Sequence, residues 1–383
     1  MESVGITRGA ALAISDMLDT CCQIKPGDEV VIASHVDGLH GGDNIVDTQA
    51  VAWIQAAIQA RDANPTILWI DEPVKPHKWR VPPVFLAALR ASDVFINNSF
   101  DLTVEEIKAV METATEYNVT LCRNYATTTG LLNSPWVQTP YELPTEIRYE
   151  ESKFFGDGNL PFWVTDDNGT HFEGTILPAD HPRYPTYTRR RNEGPGYRPF
   201  PEWIHPPINL ADVNGIIVFD RMLSWWSRYI GISPFFKDPI RLTVENSRIT
   251  NIEGKNEADA LRRFLKDIEA VLGEDAYNVP EMHCGVHPCP VVAPQQCSNT
   301  LVQRIVDHSA TYCVHFHIGA PWPRRQYPYW MHMTGDLVTA TWKIGDNILV
   351  DKGHNTVLDL PRIKEIDAKY PDRPGLGPWP KSF

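Results

Sequence analysis

The chain lacks what would announce several broad classes of protein. No run approaches the ~18 consecutive apolar residues of a membrane helix, so no membrane association is expected. The opening MESVGITRGAALAISD has no basic stretch followed by an apolar one, so no export signal is expected. Positive charge is in short supply: 35 Lys+Arg against 48 Asp+Glu give a net charge of −13, the wrong sign for a nucleic-acid binder. Cysteine is sparse and odd in number at seven, with Cys21 and Cys22 adjacent and no CxxC pair. That argues against a disulfide scaffold or a structural zinc site and fits a reducing cytoplasm. Glycine (24) is outnumbered by proline (32), and Trp and Tyr are interspersed among the prolines, which points to ordered connections rather than disorder. The compact catalytic motifs are missing too: there is no HExxH, no GxSxG elbow and no P-loop.

What is present is organised in two parts. Over residues 1–145, short apolar runs alternate with helical patterns: EVVIAS (29–34), TILWID (66–71), DVFINN (93–98) and NVTLCR (118–123). This is the signature of βαβ units, and it predicts an α/β, Rossmann-like domain with a mostly parallel sheet. Thr103 and Glu106 have the spacing of a capping box. The loop SHVDGLHGGDN has Gly38, Gly41 and Gly42 but not the spacing of a phosphate cradle, although His35 and Asp37 would face a site bordering the sheet.

Residues 146–383 are expected to form a catalytic, metal-binding α+β domain with a mainly antiparallel sheet. Pro and Tyr accumulate up to about residue 210, where Arg189, Arg190 and Arg191 form a basic triplet. NGIIVFDRM then reads as a strand, IRLTVENSRITNI as a hairpin, and Leu261 to Leu272 as a helical stripe ending at Gly273.

Histidine is distributed unevenly: seven of the 13 (His283, His287, His308, His315, His317, His332 and His354) fall in one stretch near the C-terminus. EMHCGVHP offers Glu281, His283 and His287; VHFHIG puts His315 and His317 on one face of a strand; YWMHMTGDLV does the same for His332, Thr334 and Asp336. Imidazoles and carboxylates converging from rigid strands are what a divalent transition metal needs. Cys284, Cys289, Cys297 and Cys313 are spaced too irregularly for a thiolate site. The segment WPRRQYPYW, with Arg324, Arg325, Tyr327, Tyr329 and Trp330, offers an aromatic, cationic wall.

The pieces PFPEWIHPP, IRLTVENSRITNIEGKNEADALRRFL, EMHCGVHP, HFHIG and MHMTGDLVTATWKIGDNILVDKG together resemble the aminopeptidase T-type leucyl aminopeptidases and their relative 2,5-dihydroxypyridine 5,6-dioxygenase. The aminopeptidase pattern implies metal-binding roles for Glu202, Glu281, His317 and His332. The sequence departs from it at Thr334 and Tyr312, where acidic ligands are expected, and at Pro201. The dioxygenase pattern implies one iron, and Glu281, His317 and His332 would form a two-histidine, one-carboxylate set for Fe(II), with Zn or Mn as alternatives. Asp336 would replace the missing aspartate if its strand bulged.

The resulting expectation is a single-metal, ring-opening dioxygenase acting on a small hydroxylated aromatic or N-heteroaromatic compound. Glu202 or His283 would serve as the base, and His315, Arg324, Thr334 and Asp336 would line the substrate. A metallohydrolase cutting an amide, lactam or peptide bond is the alternative, and a non-catalytic binding protein the third reading. A homo-oligomer is expected on general grounds.

Overall fold

The computed structural model describes residues 5–35, 45–70, 80–98, 108–177, 196–321 and 331–379. The glycine loop after the first strand, Asp37, the Thr103/Glu106 pair, the arginine triplet and the WPRRQYPYW wall with Arg324 lie outside the described residues.

The chain has the two-part α/β plus α+β layout that its patterning predicts. Among the described residues the first sheet has five parallel strands in the order Asn64–Trp69, Glu29–Ser34, Val94–Asn98, Thr120–Asn124, Tyr197–Phe200. The last of these comes from well beyond residue 145 and pairs with Thr120–Asn124. Asp47 starts the helix Thr48–Gln59 by accepting from the Ala50 amide at 2.5 Å, and it also accepts from the Thr129 amide at 2.7 Å. At the C-terminal ends of the strands, buried Ser34, Asn98 and Asn124 hydrogen-bond in series: Asn98 donates to Ser34 at 3.0 Å, and Asn124 to Asn98 at 2.6 Å.

Among the described residues the second sheet has eleven strands, and its pairings are antiparallel. The hairpin read from IRLTVENSRITNI is formed by Phe235–Glu245 and Arg248–Glu253, reversed at Asn246 and Ser247 with φ of 50° and 64°. The amphipathic helix Asn256–Leu272 stops at Gly273, φ 62°. A further hairpin, Leu160–Thr165 with His171–Ile176, and the helix Glu142–Phe155 occupy the stretch that composition marks only as rich in Pro and Tyr. The apolar core runs continuously from one sheet to the other. Among the described residues, no helix is long and apolar enough to cross a membrane.

Three neighbouring strands matter most: Glu281–Cys284, Val314–Gly319 and His332–Leu337. Strand alternation separates them into two chemically different faces. Met282, Val314, Phe316, Ile318, Met333 and Leu337 are buried on one face. Gly335 is required there, since a Cβ would lie 2.5 Å from the Phe316 ring. The other face carries Glu281, His283, His315, His317, His332, Thr334 and Asp336.

Candidate metal centre

The polar face is set by register. His283 pairs with His315, which pairs with Asp336; one step along, His317 pairs with Thr334, and Gly319 pairs with His332. The pairing from Val314–Leu337 to Gly319–His332 is unbroken, so the bulge that would bring Asp336 into Thr334's place is not formed. Covering this face are the helix Thr300–Ser309, which contributes Arg304 and His308, and Trp203, whose ring lies 5.2 Å from that of His308.

Three imidazoles here are oriented in the same way. The Nδ1 of His283 donates to the His205 carbonyl at 2.8 Å, that of His308 to Asp336 at 2.8 Å, and that of His317 to Glu281 at 3.0 Å. A carbonyl or carboxylate can only accept, so each acceptor fixes the proton on Nδ1 and leaves a lone pair on Nε2. The Nε2 atoms of His283 and His317 then face each other at 2.8 Å. Two lone pairs that close repel unless a cation, either a proton or a metal ion, lies between them. Two ligands bound at ~2.0–2.1 Å and at right angles on one ion sit about 2.9 Å apart, so this spacing suits a shared metal.

His315 lies between these groups, stacked on His308 (ring centroids 3.6 Å) and edge-on to His283 (4.5 Å). Neither of its ring nitrogens, nor Nε2 of His308, has a hydrogen-bond partner among the described residues. The donor atoms of His283, His308 and His315 lie within 4.8 Å of one another. Burial holds these three imidazoles well below their ordinary pKa, with neighbouring imidazoles adding to it and Arg304 acting on His308 and His315. They are therefore neutral, the form that ligates metal. Orphaned buried nitrogens, neutral rings and fixed tautomers all fit a transition metal.

The sequence-derived residues are distributed around this centre. Glu281 and His317 touch, and half-buried His332 stacks obliquely beside His317 with ring centroids 4.7 Å apart. Asp336 is held by His308 and in ion-pair contact with Arg304. Thr334 is buried, and its carbonyl accepts from the Leu223 amide. Glu202 is fully buried 3.7 Å from the equally buried Arg148. His287 packs against Trp136, and its Nδ1 accepts from the Cys289 amide. His354 is on the surface with Asp359.

Sequence reasoning missed His308 as a site residue and missed Arg304 entirely. The available signal was Arg304 and His308 four residues apart, both on the buried face of a helix. It also missed Glu151, buried between Cys284, whose thiol donates at 3.3 Å, and Asn355, which donates at 2.6 Å.

Two buried groups make opposite demands on pH. Burial pushes Glu151 up to about 8, from an ordinary 4.5, so it is protonated in the folded state while the unfolded chain ionises above 4.5. Stability from this group is full below 4.5 and falls as pH rises towards 8. At pH 7 that costs roughly 3 kcal/mol, using ~1.4 kcal/mol per unit. Glu151→Gln is therefore expected to raise the urea midpoint at pH 7, with the gain vanishing near pH 4.5. A gain of equal size at both pH values would contradict the assignment.

Burial pushes His287 down to about 3, from 6.5, so the unfolded chain takes up a proton below 6.5 that the folded protein does not. Stability is lost as pH falls from 6.5 towards 3, by up to ~1.4 kcal/mol per unit. His287→Phe is expected to flatten the acid limb of the stability profile by one proton, and an unchanged slope would argue against it.

The comparisons with known proteins fall in two groups. No protein-family model matches the chain, and no curated protein does. Among solved structures, 2,5-dihydroxypyridine dioxygenase from Pseudomonas putida KT2440 matches with a TM-score of 0.64 at 14% identity, covering 91% of this chain and 98% of that one. AmpT from Thermus thermophilus, an aminopeptidase, matches with a TM-score of 0.51 at 12% identity over the same shares. The fold is thus shared with both enzymes that the sequence resembles.

Proposed function

We propose that this chain is a single-metal, non-haem Fe(II) enzyme that opens a hydroxylated aromatic or N-heteroaromatic ring with O₂. One observation carries the reading: His283, His308 and His317 each commit Nδ1 to an acceptor, which leaves the lone pair on Nε2, and the Nε2 atoms of His283 and His317 lie at ligand spacing. Metal-bound histidines are oriented in this way by carboxylates and carbonyls. His283 and His317 would hold the ion, with His308 beside them, its donor atom within 4.8 Å of that of His283, and Glu281 and Asp336, one bond further out, would offset its charge. Of the set implied by resemblance, His317 remains a ligand, Glu281 becomes its orienting carboxylate, and His332 forms the half-exposed rim.

Imidazole donors suit iron or zinc better than manganese, which prefers oxygen ligands. When bound, such an ion supplies Lewis acidity towards a chelated hydroxyl and redox access to O₂. His315, stacked on His308 and with neither ring nitrogen hydrogen-bonded among the described residues, would accept the hydroxyl proton. Tyr125, Trp203 and Trp225 form an aromatic wall beside His308, with ring centroids 4.4 Å (Tyr125–Trp203) and 5.8 Å (Trp203–Trp225) apart. The Arg123 guanidinium lies 5.3 Å from the Tyr125 ring centroid, so the wall suits a flat, electron-rich or anionic ring. Arg123 and Tyr125 reach it from the C-terminal end of the parallel sheet, where α/β proteins place ligands.

A two-metal hydrolase needs carboxylates to bridge its ions. Here Glu202 pairs with Arg148, Asp336 with Arg304 and His308, and Glu281 with His317, while Thr334 and Tyr312 stand where two further carboxylates would be needed. The fold match to the dioxygenase, the higher of the two scores, supports the same choice.

In an oxygen electrode, iron-loaded protein given dihydroxylated pyridines and benzenes is expected to consume O₂ in equimolar amount to the ring absorbance lost, with both oxygen atoms recovered in the product. Hydrolysis of amino-acid amides with no O₂ uptake would overturn the proposal.

A further inference from the structure

The first part of the chain holds a second cluster of metal-type ligands, of different chemistry. Cys21 closes a six-residue π-helical turn, Asp16–Cys21; Cys22 follows it, and Cys122 lies on the strand Thr120–Asn124. All three are buried, at 0%, 3% and 0% exposure, and their sulfur atoms lie within 4.8 Å of one another. Three sulfurs bound to one ion at ~2.3 Å sit about 4 Å apart, inside that span. The linear spacing offers no CxxC because the third thiol comes from a different element, about a hundred residues on.

Buried cysteines are commonly inert packing. Two features here point further. A π-helical turn is rare and concentrates at functional positions, and this one ends on the first of two adjacent inward-facing thiols. A buried cation also faces the cluster, while hydrogen bonding among the three thiols, together with burial, holds Cys22 and Cys122 well above the ordinary thiol value. Arg198, buried and the register partner of Cys122, donates to the Cys21 carbonyl. Burial alone would raise the Cys21 thiol, but hydrogen bonds with Cys122, Cys22 and Tyr141, and the Arg198 charge, outweigh it and hold that thiol well below its ordinary value.

We infer that Cys21, Cys22 and Cys122 form a closed three-thiolate site for a soft divalent d¹⁰ cation of the zinc class. Loading exchanges three thiol protons, released to solvent, for one ion. The net charge of −1 left on the site faces Arg198. Full burial of all three sulfurs makes the role structural, tying the π-helical turn to the parallel sheet rather than taking part in turnover.

Cadmium is the probe. Reduced, metal-free full-length protein given one equivalent of Cd(II) is expected to show the ultraviolet sulfur-to-cadmium charge-transfer band. X-ray absorption at the cadmium edge should then give three sulfur neighbours. The band should persist in His315→Ala and Cys297→Ser and disappear in Cys122→Ser. If Cys122→Ser fails to fold, the wild-type absorption spectrum still decides. Absence of the band, a coordination shell of nitrogen and oxygen alone, or a band that survives Cys122→Ser in folded protein would each overturn the site.

Discussion

On the proposed function, replacing His317 with alanine is expected to prevent iron loading, with metal per chain falling to background after desalting and O₂ uptake lost with it. Changing a group that merely orients a ligand already costs ~10–100-fold in metal affinity, so loss of a ligand should exceed that range. The same result is expected for His283→Ala, because the facing Nε2 atoms at 2.8 Å act as a pair and either one alone leaves an incomplete site. Glu281→Gln gives a graded comparison. It keeps an acceptor for the His317 Nδ1 proton but removes a charge, so affinity should fall within the ~10–100-fold range rather than vanish. Were Glu281 itself a ligand, its loss would match that of His317. The ranking of these variants by metal content therefore separates the two roles, and full occupancy in His317→Ala would sink the assignment of both histidines.

The second large effect is expected at Arg304. Its side chain is fully buried, in contact with Asp336, 3.7 Å from Asp307, and with its guanidinium 5.7 Å from the Phe235 ring centroid. Arg304→Met leaves the Asp336 carboxylate buried without its cation. Breaking a buried ion pair from one side destabilises by ~3–5 kcal/mol. The loss should reach the metal as well, since Asp336 is what orients His308. The double variant Arg304→Met with Asp336→Leu removes both charges and is expected to recover much of the stability lost in the single variant. Metal affinity should stay low, because Asp336→Leu removes the acceptor of His308. Urea midpoints and metal titrations of the three proteins check this. A double variant as unstable as Arg304→Met would show that the destabilisation comes from packing around the arginine and not from the stranded carboxylate.

How much of this was legible in the sequence depends on the range of the interaction that decides each feature. The parallel strands were legible because each apolar run is local, although Asn64–Trp69 and Thr120–Asn124 start two residues from the expected positions, Asn118 being held in a turn at φ 55°. The shared face of His315 and His317, and of His332, Thr334 and Asp336, follows from strand periodicity alone. The long strand Ile208–Arg221 was legible only from NGIIVFDRM onward. Its earlier half includes Asp212 at φ 53°, a left-handed residue accommodated within the continuous strand.

His308 could not be placed because its partner Asp336 lies 28 residues away on a different type of element. A buried arginine on the apolar face of that helix was the visible anomaly. The distinction between Glu281 as ligand and as orienting group was also out of reach, because it depends on which ring nitrogen the carboxylate meets. No spacing rule encodes that.

The central claim is that one metal ion sits between the facing Nε2 nitrogens of this histidine face. The most direct measurement is an anomalous-scattering map, collected at the iron edge, from crystals of protein loaded anaerobically with Fe(II). A single peak within bonding distance of Nε2 of both His283 and His317 is the predicted result. An empty histidine face, or two peaks bridged by Glu281 as in a dinuclear hydrolase, would contradict it.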